Sequence, residues 1–124
     1  MPKRILVIED EFLVALEIAS VLEDAGFRDV QQVDNEPEAI RRVAQEQWDG
    51  VVTDANLYGR SIEQIAAILH ERCIPFIVVT GYNKDSLPAV IGAVPVVKKP
   101  FYGPNLSETL ISVLPPGTGD PLGI

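Results

Sequence analysis

Apolar and polar positions along this chain alternate between two periods. Arg4 to Asp10 reads RILVIED, an unbroken apolar run that ends in two acids. Such runs are strands buried on both faces, as in a parallel sheet. The next stretch, EFLVALEIASVLEDAG, carries a helical stripe through Phe12, Ala15, Leu16, Ala19 and Leu22, with Glu17 and Glu23 for the opposite side. Gly26 is a natural C-terminal stop. FRDVQQV alternates enough for a short second strand nearer a sheet edge. Asp34 or Asn35 can cap the next helix, with Pro37 in its first turn. That helix is predicted to run to about Gln47, with Ala39, Ile40, Val43 and Ala44 inward. WDGVVTD predicts a third strand. SIEQIAAILHER predicts a third helix, capped by Ser61 and striped by Ile62, Ile65, Ala66 and Leu69. IPFIVVT predicts a fourth strand. KDSLPAVIGA predicts only a short or mobile helix, because Pro88 falls where a helix interior would be. VPVVKKP is a fifth strand and PNLSETLISVL a last helix, with Leu106, Leu110 and Val113 inward. PPGTGDPLGI, residues 115–124, has no periodicity and predicts a flexible tail behind a single domain of residues 1–114.

A β-α unit repeated five times predicts an α/β fold, a parallel sheet covered by helices on both faces. Ligands of such sheets sit beyond the carboxyl ends of the strands. The first strand ends in Glu9 and Asp10, the third in Asp54, the fourth in Thr80 and the fifth in Lys99. Three carboxylates at one sheet edge repel each other, and at least one pKa rises unless a cation intervenes. A magnesium ion answers this with oxygen ligands, retained waters and one or two carboxylates. The backbone carbonyl of Asn56 can supply a further oxygen. Asp54 can then act as a nucleophile toward phosphorus, with Thr80 donating a hydrogen bond and Lys99 a positive charge to the phosphoryl oxygens.

Taken singly, each residue has a plainer reading. Asp10 reads equally as a helix cap, Glu9 and Lys99 as solvated charges, and Thr80 as an ordinary strand former. Asp54 is harder to dismiss, since Asn56 and Ser61 are better placed to cap the third helix. The coincidence of all five at strand ends favours the functional reading. His70 near the end of the third helix is expected to be exposed and has no ligand partner at the right spacing. Cys73 reads as a small buried hydrophobe, and Trp48 as packing.

Composition narrows the classes. Net charge is −8, from 18 acidic against 10 basic residues, which disfavours direct binding to nucleic acid. One cysteine excludes a disulfide framework and a zinc cluster. No apolar run reaches the length of a membrane span, and no signal peptide is evident. A cytoplasmic protein is the default expectation.

Glu9-Asp10, Asp54, Thr80 and Lys99-Pro100-Phe101, in this order on these strands, resemble the receiver domains of two-component response regulators. The resemblance covers residues 3 to about 114, and the motifs together are highly specific. It implies a flavodoxin-like (βα)5 fold with strand order 2-1-3-4-5 and Mg2+ held by Glu9, Asp10, Asp54 and the Asn56 carbonyl. It also implies phosphoryl transfer to Asp54 from a histidine kinase or histidine phosphotransfer protein. No catalytic turnover beyond self-phosphorylation and self-dephosphorylation is implied. Output would be a protein partner, a phosphate relay or a sink; a homodimer through the fourth and fifth strands fits as well. IPFIVVTGY and the later KKPF are similar to the FATGUY subfamily, although Ile77-Val78-Val79 replaces that motif's usual residues. Typical receivers carry Tyr or Phe three residues before the lysine. Val96 stands there, and members of the FATGUY group also lack this aromatic. With no ring to rotate at Val96, the switch is expected to use ordering of the Gly81–Gly92 segment, with Tyr82 taking part of the aromatic's role.

Two other classes compete. A receiver-like interaction module that is never phosphorylated would share the fold. A small haloacid-dehalogenase-type phosphatase would also use an aspartyl phosphate, but its nucleophile follows the first strand. Its general acid stands two residues after the nucleophile, where this chain has Asn56. The proline- and glycine-rich tail is also compatible with a linker in a longer regulator.

Overall fold

In the computed structural model, residues 3–81 and 92–115 are described. The elements are β1 (Arg4–Ile8), α1 (Phe12–Asp24), β2 (Asp29–Val33), α2 (Glu36–Gln45), β3 (Gly50–Asp54), β4 (Asn56–Leu57), β5 (Arg60–Ser61), α3 (Glu63–Glu71), β6 (Phe76–Thr80), β7 (Val96–Lys98) and α4 (Gly103–Val113). Five strands form one parallel sheet in the order β2-β1-β3-β6-β7. Counting only the strands of this sheet, that is 2-1-3-4-5, the flavodoxin-like order. The predicted helix over residues 84–93 falls mostly outside the described residues. Residues 116–124 of the predicted tail, and Tyr82, lie outside them entirely.

The continuous apolar runs are explained by burial on two faces. Along β1, Leu6 and Ile8 join one core with Val51 and Val78, which α2 and α3 cover. Ile5 and Val7 join the other with Val52, Ile77, Val79 and Val97, beneath Ile18 and Leu22 of α1 and Leu106 and Leu110 of α4. Neighbours in sequence point to opposite faces, so a strand covered on both sides, such as β1, is apolar at successive positions. Beyond the amino ends, Trp48 lies against the guanidinium groups of Arg4 and Arg42, 4.3 and 5.0 Å from its ring centre.

The helix termini follow local rules, with some corrections. Asn35, not Asp34, caps α2, its Oδ1 accepting from the Glu38 N–H at 3.0 Å. That helix stops at Gln45 rather than Gln47, and Ala44 is exposed while Ala39 and Val43 are buried. Gly26, at φ 108°, ends α1 in a Schellman arrangement: the Phe27 N–H donates to Leu22 O and the Gly26 N–H to Glu23 O. On α1 the predicted stripe is only partly right. Ala15, Ile18, Ala19 and Leu22 are buried, whereas Phe12 and Leu16 are 73 % and 48 % exposed. The first turns of α1 begin beyond the carboxyl end of β1, where no sheet lies beneath them, and Ile18 takes the inward place instead.

Cys73 is the second correction, for it is exposed. It occupies the left-handed position after α3, at φ 56°. Its N–H donates to His70 O, and the Ile74 N–H reaches back to Leu69 O. This Schellman geometry buries Leu69 and Ile74 and turns residue 73 outward. The third concerns Ser61. It belongs to β5, and its hydroxyl accepts from the Glu63 N–H at 3.3 Å, while α3 itself starts after Ile62.

Candidate phosphoryl and metal site

Parallel pairing aligns the strand ends. Ile8 stands opposite Thr53, Asp54 opposite Val79, and Thr80 opposite Lys98. The residues that follow each strand therefore converge on one edge. Glu9, Asp10 and Asp54 each offer a carboxylate oxygen, and these oxygens lie within 4.8 Å of one another. The Lys99 ammonium reaches in from beyond β7, its backbone N–H bonded to Thr80 O at 2.8 Å. Lys99 Nζ lies 2.9 Å from Glu9 Oε1 and 3.5 Å from Asp54 Oδ2. A cleft of about 380 Å³ opens over them, lined by Asp10, Glu11, Asp54, Asn56, Gly59, Gly81 and Lys99.

Glu9 is the most constrained member. It is 1 % exposed, its Oε2 accepts from the Glu11 N–H at 3.2 Å, and its backbone N–H bonds Val33 O. Burial pushes its carboxyl up to about 7; the hydrogen bond from Lys99 pulls the other way, and the charge of Asp54 adds to the rise. Reading Glu9 as a solvated charge does not describe it. Asp10 differs. Burial opposes its ionised form, but the Tyr58 N–H, 2.8 Å from Oδ2, outweighs this with help from other partners, so its pKa is lowered. Nor is Asp10 a helix cap: Glu11 holds that position in α1, without a side-chain cap bond. Desolvation acts against the Lys99 ammonium, but its bond to Glu9 and the nearby Asp54 raise its pKa overall.

The oxygen set fits a hard divalent cation. Three carboxylates converge on one cleft, a buried one is pushed toward neutrality, and among the described residues Lys99 is the cation paired with them. Thr80 is fully buried at the end of β6, and the adjacent Gly81 lines the cleft. Val96 stands opposite Val78 and is half-buried against the core on the α2–α3 side. Two features escaped the sequence reading. One is the burial of Glu9. The other is a small antiparallel hairpin, β4–β5, in which Asn56 pairs with Ser61 and Tyr58 presents its N–H to Asp10. Gly59 was its available signal, but Tyr58 in front of it is not a residue that announces a tight hairpin.

A family model described as the response regulator receiver domain matches residues 5–111. The chain belongs to this family. Among curated relatives it is similar to the transcriptional regulatory protein PdtaR of Mycobacterium tuberculosis, 28 % identical over 105 residues. That alignment covers 82 % of this chain and 51 % of PdtaR, so the chain spans about half the length of the relative. Among solved structures it resembles the BeF3-activated conformation of SdrG from Pseudomonas melonis Fr1, at 33 % identity and TM-score 0.73, covering 90 % of this chain and 96 % of SdrG. It also resembles a response regulator protein from Burkholderia pseudomallei carrying a phosphorylated aspartic acid and a calcium ion. There the identity is 26 % and the TM-score 0.75, with 87 % of this chain and 66 % of that one covered. Among the described residues, no helix is long and apolar enough to cross a membrane.

Proposed function

We propose that this receiver domain accepts a phosphoryl group on Asp54 from a histidine kinase or histidine phosphotransfer protein. The observation that carries this reading is Lys99 Nζ poised 3.5 Å from Asp54 Oδ2 at the edge of a three-carboxylate cleft. The phosphorylated aspartic acid and calcium ion of the Burkholderia structure and the BeF3-activated form of SdrG support it by likeness. Asp10 and Asp54 would ligate Mg2+ directly, Glu9 through water, and Asn56 through its backbone carbonyl. Bound there, Mg2+ supplies charge neutralisation for the phosphoryl oxygens.

The remaining work falls to the chain. An Asp54 oxygen attacks phosphorus as the phosphorus–nitrogen bond of the donor phosphohistidine breaks. The electron pair of that bond stays on the imidazole, which takes a proton from water. Lys99 gives up part of its bond to Glu9 to meet the incoming phosphoryl oxygens, and Thr80 donates its hydroxyl to one of them. Catalysis of this kind is positioning and charge compensation. Hydrolysis of the acyl phosphate returns the domain to its resting state.

The similarity of IPFIVVTGY and Val96 to the FATGUY subfamily supports membership in that group and an output other than ring rotation on β7. The partner would read the phosphorylated state through its differential affinity for the two forms.

Labelled acetyl phosphate, or a panel of histidine kinases charged with labelled ATP, tests this. Wild-type protein should take label with Mg2+ present and none in EDTA, and Asp54→Asn should take none. Label persisting in Asp54→Asn would show that Asp54 is not the acceptor. No label from any donor would turn the reading to a receiver-like interaction module.

A further inference from the structure

The β4–β5 hairpin forms part of the cleft wall, and its turn is unusual for its sequence. Tyr58 and Gly59 both have positive φ, 51° and 77°. That is the type I′ pattern, which favours Asn-Gly, Asp-Gly or Gly-Gly. A bulky residue rarely adopts the left-handed conformation. Burial of the Tyr58 ring does not account for it, since Tyr58 is 66 % exposed. The specific long-range contact is made by its backbone: the Tyr58 N–H donates to Asp10 Oδ2 at 2.8 Å, across 48 residues of sequence. The same hairpin holds Asn56 in register with Ser61.

We infer that the Tyr58-Gly59 turn is a positioning device for the divalent-ion site. It fixes the Asp10 carboxylate through one oxygen and sets the Asn56 backbone at the same time. This deepens the proposed function and rests on the cleft being the Mg2+ site. A ligand carboxylate held by a hydrogen bond does not have to be ordered when the ion arrives, and loss of such outer partners typically costs metal affinity about 10- to 100-fold. Coupling is reciprocal: if the turn favours ion binding at Asp10, a bound ion favours the turn by the same factor. Tyr58 and Gly59 are positioning residues and touch no reacting atom.

Two substitutions separate this from a general surface effect. A Cβ at position 59 meets nothing within 4 Å, so Gly59→Val makes no clash at Cβ and strains a backbone held at φ 77°. Tyr58→Asn keeps the N–H and suits the turn better. Mg2+ affinity is read by isothermal titration calorimetry on the full chain. Alongside it, the Mg2+ dependence of phosphorylation by acetyl phosphate separates half-saturation from maximal rate. Gly59→Val should bind Mg2+ roughly tenfold more weakly, at the lower end of the outer-partner range, yet reach the wild-type maximal rate at saturating Mg2+. Tyr58→Asn should bind at least as tightly as wild type. Equal affinity in Gly59→Val and wild type would overturn the inference, as would Tyr58→Asn weakened to the level of Gly59→Val. A wild-type protein that fails to bind Mg2+ would instead overturn the metal reading itself. Should Gly59→Val fail to fold, which emission from the buried Trp48 reports, Gly59→Ala carries the same comparison.

Discussion

A carboxyl group 1 % exposed beside Asp54, even with Lys99 paired to it, holds its proton more tightly than it would in water. For Glu9 the folded pKa is about 7 against 4.5. Folding therefore takes up a proton between these values. The stabilisation from that proton is fully present below pH 4.5 and is lost as pH rises through 7. Asp10, whose pKa is lowered from 3.8, and Lys99, raised from 10.5, exert their pH effects outside this window. In EDTA, the urea midpoint of wild-type protein should fall relative to that of Glu9→Gln between pH 5 and pH 8. Parallel pH profiles for the two proteins would show that Glu9 takes up no proton on folding. Sequence spacing was enough to bring Asp54, Asp10 and Lys99 to one edge, because strand ends in a parallel sheet share an edge. The environment of Glu9 was not legible, since its burial is set by the packing around the strand end and not by its place in the strand order. The Tyr58 contact was hidden for another reason: every residue but proline has a backbone N–H, so sequence does not flag it.

At the scale of elements, strands were easier to read than helix faces. An apolar run such as FIVVT has no polar side to misassign, and all five residues of β6 are buried. A helical stripe says which residues share a face, but not how much of that face has a neighbour. α1 extends past the sheet, so Phe12 and Leu13 stay exposed while Ile18 and Leu22 meet the core. Helix ends carry the same ambiguity. Gly26 announced its Schellman turn, whereas Cys73 makes the same turn with a side chain poorly suited to it. That contrast has a measurable consequence. A non-glycine residue in the left-handed region pays about 1–2 kcal/mol, partly offset by the greater freedom of glycine in the unfolded chain. Cys73→Gly should stabilise the domain by about 0.5–1 kcal/mol, seen as a higher urea midpoint with unchanged slope. Because Cys73 is exposed, the substitution removes no core contact. A lower midpoint would mean that the thiol makes an interaction worth more than the strain.

For the whole molecule, the sheet does two jobs with one arrangement. Its interior is apolar on both faces, and its carboxyl edge gathers charge that an apolar interior excludes. With a net charge of −8, the metal-free domain carries general self-repulsion and a local concentration of it at the cleft. An ion that binds only the folded state stabilises by mass action, about 2.7 kcal/mol at one hundred times its dissociation constant. A domain of this size should respond with a rise in melting temperature of several degrees, on the order of 3 °C or more per kcal/mol. General screening by salt would also relieve repulsion, so the comparison is Mg2+ against NaCl at equal ionic strength. Asp10→Ala provides the second control. It leaves α1 with the Glu11 cap position it already has, removes one proposed ligand, and frees the Tyr58 N–H, which sits at an exposed turn where water can replace the lost bond. The wild type should melt higher in Mg2+ than in matched NaCl, and Asp10→Ala should melt at the same temperature in both. An equal shift in the two proteins would assign the effect to diffuse screening of the acidic surface and remove the carboxylate cleft as its origin.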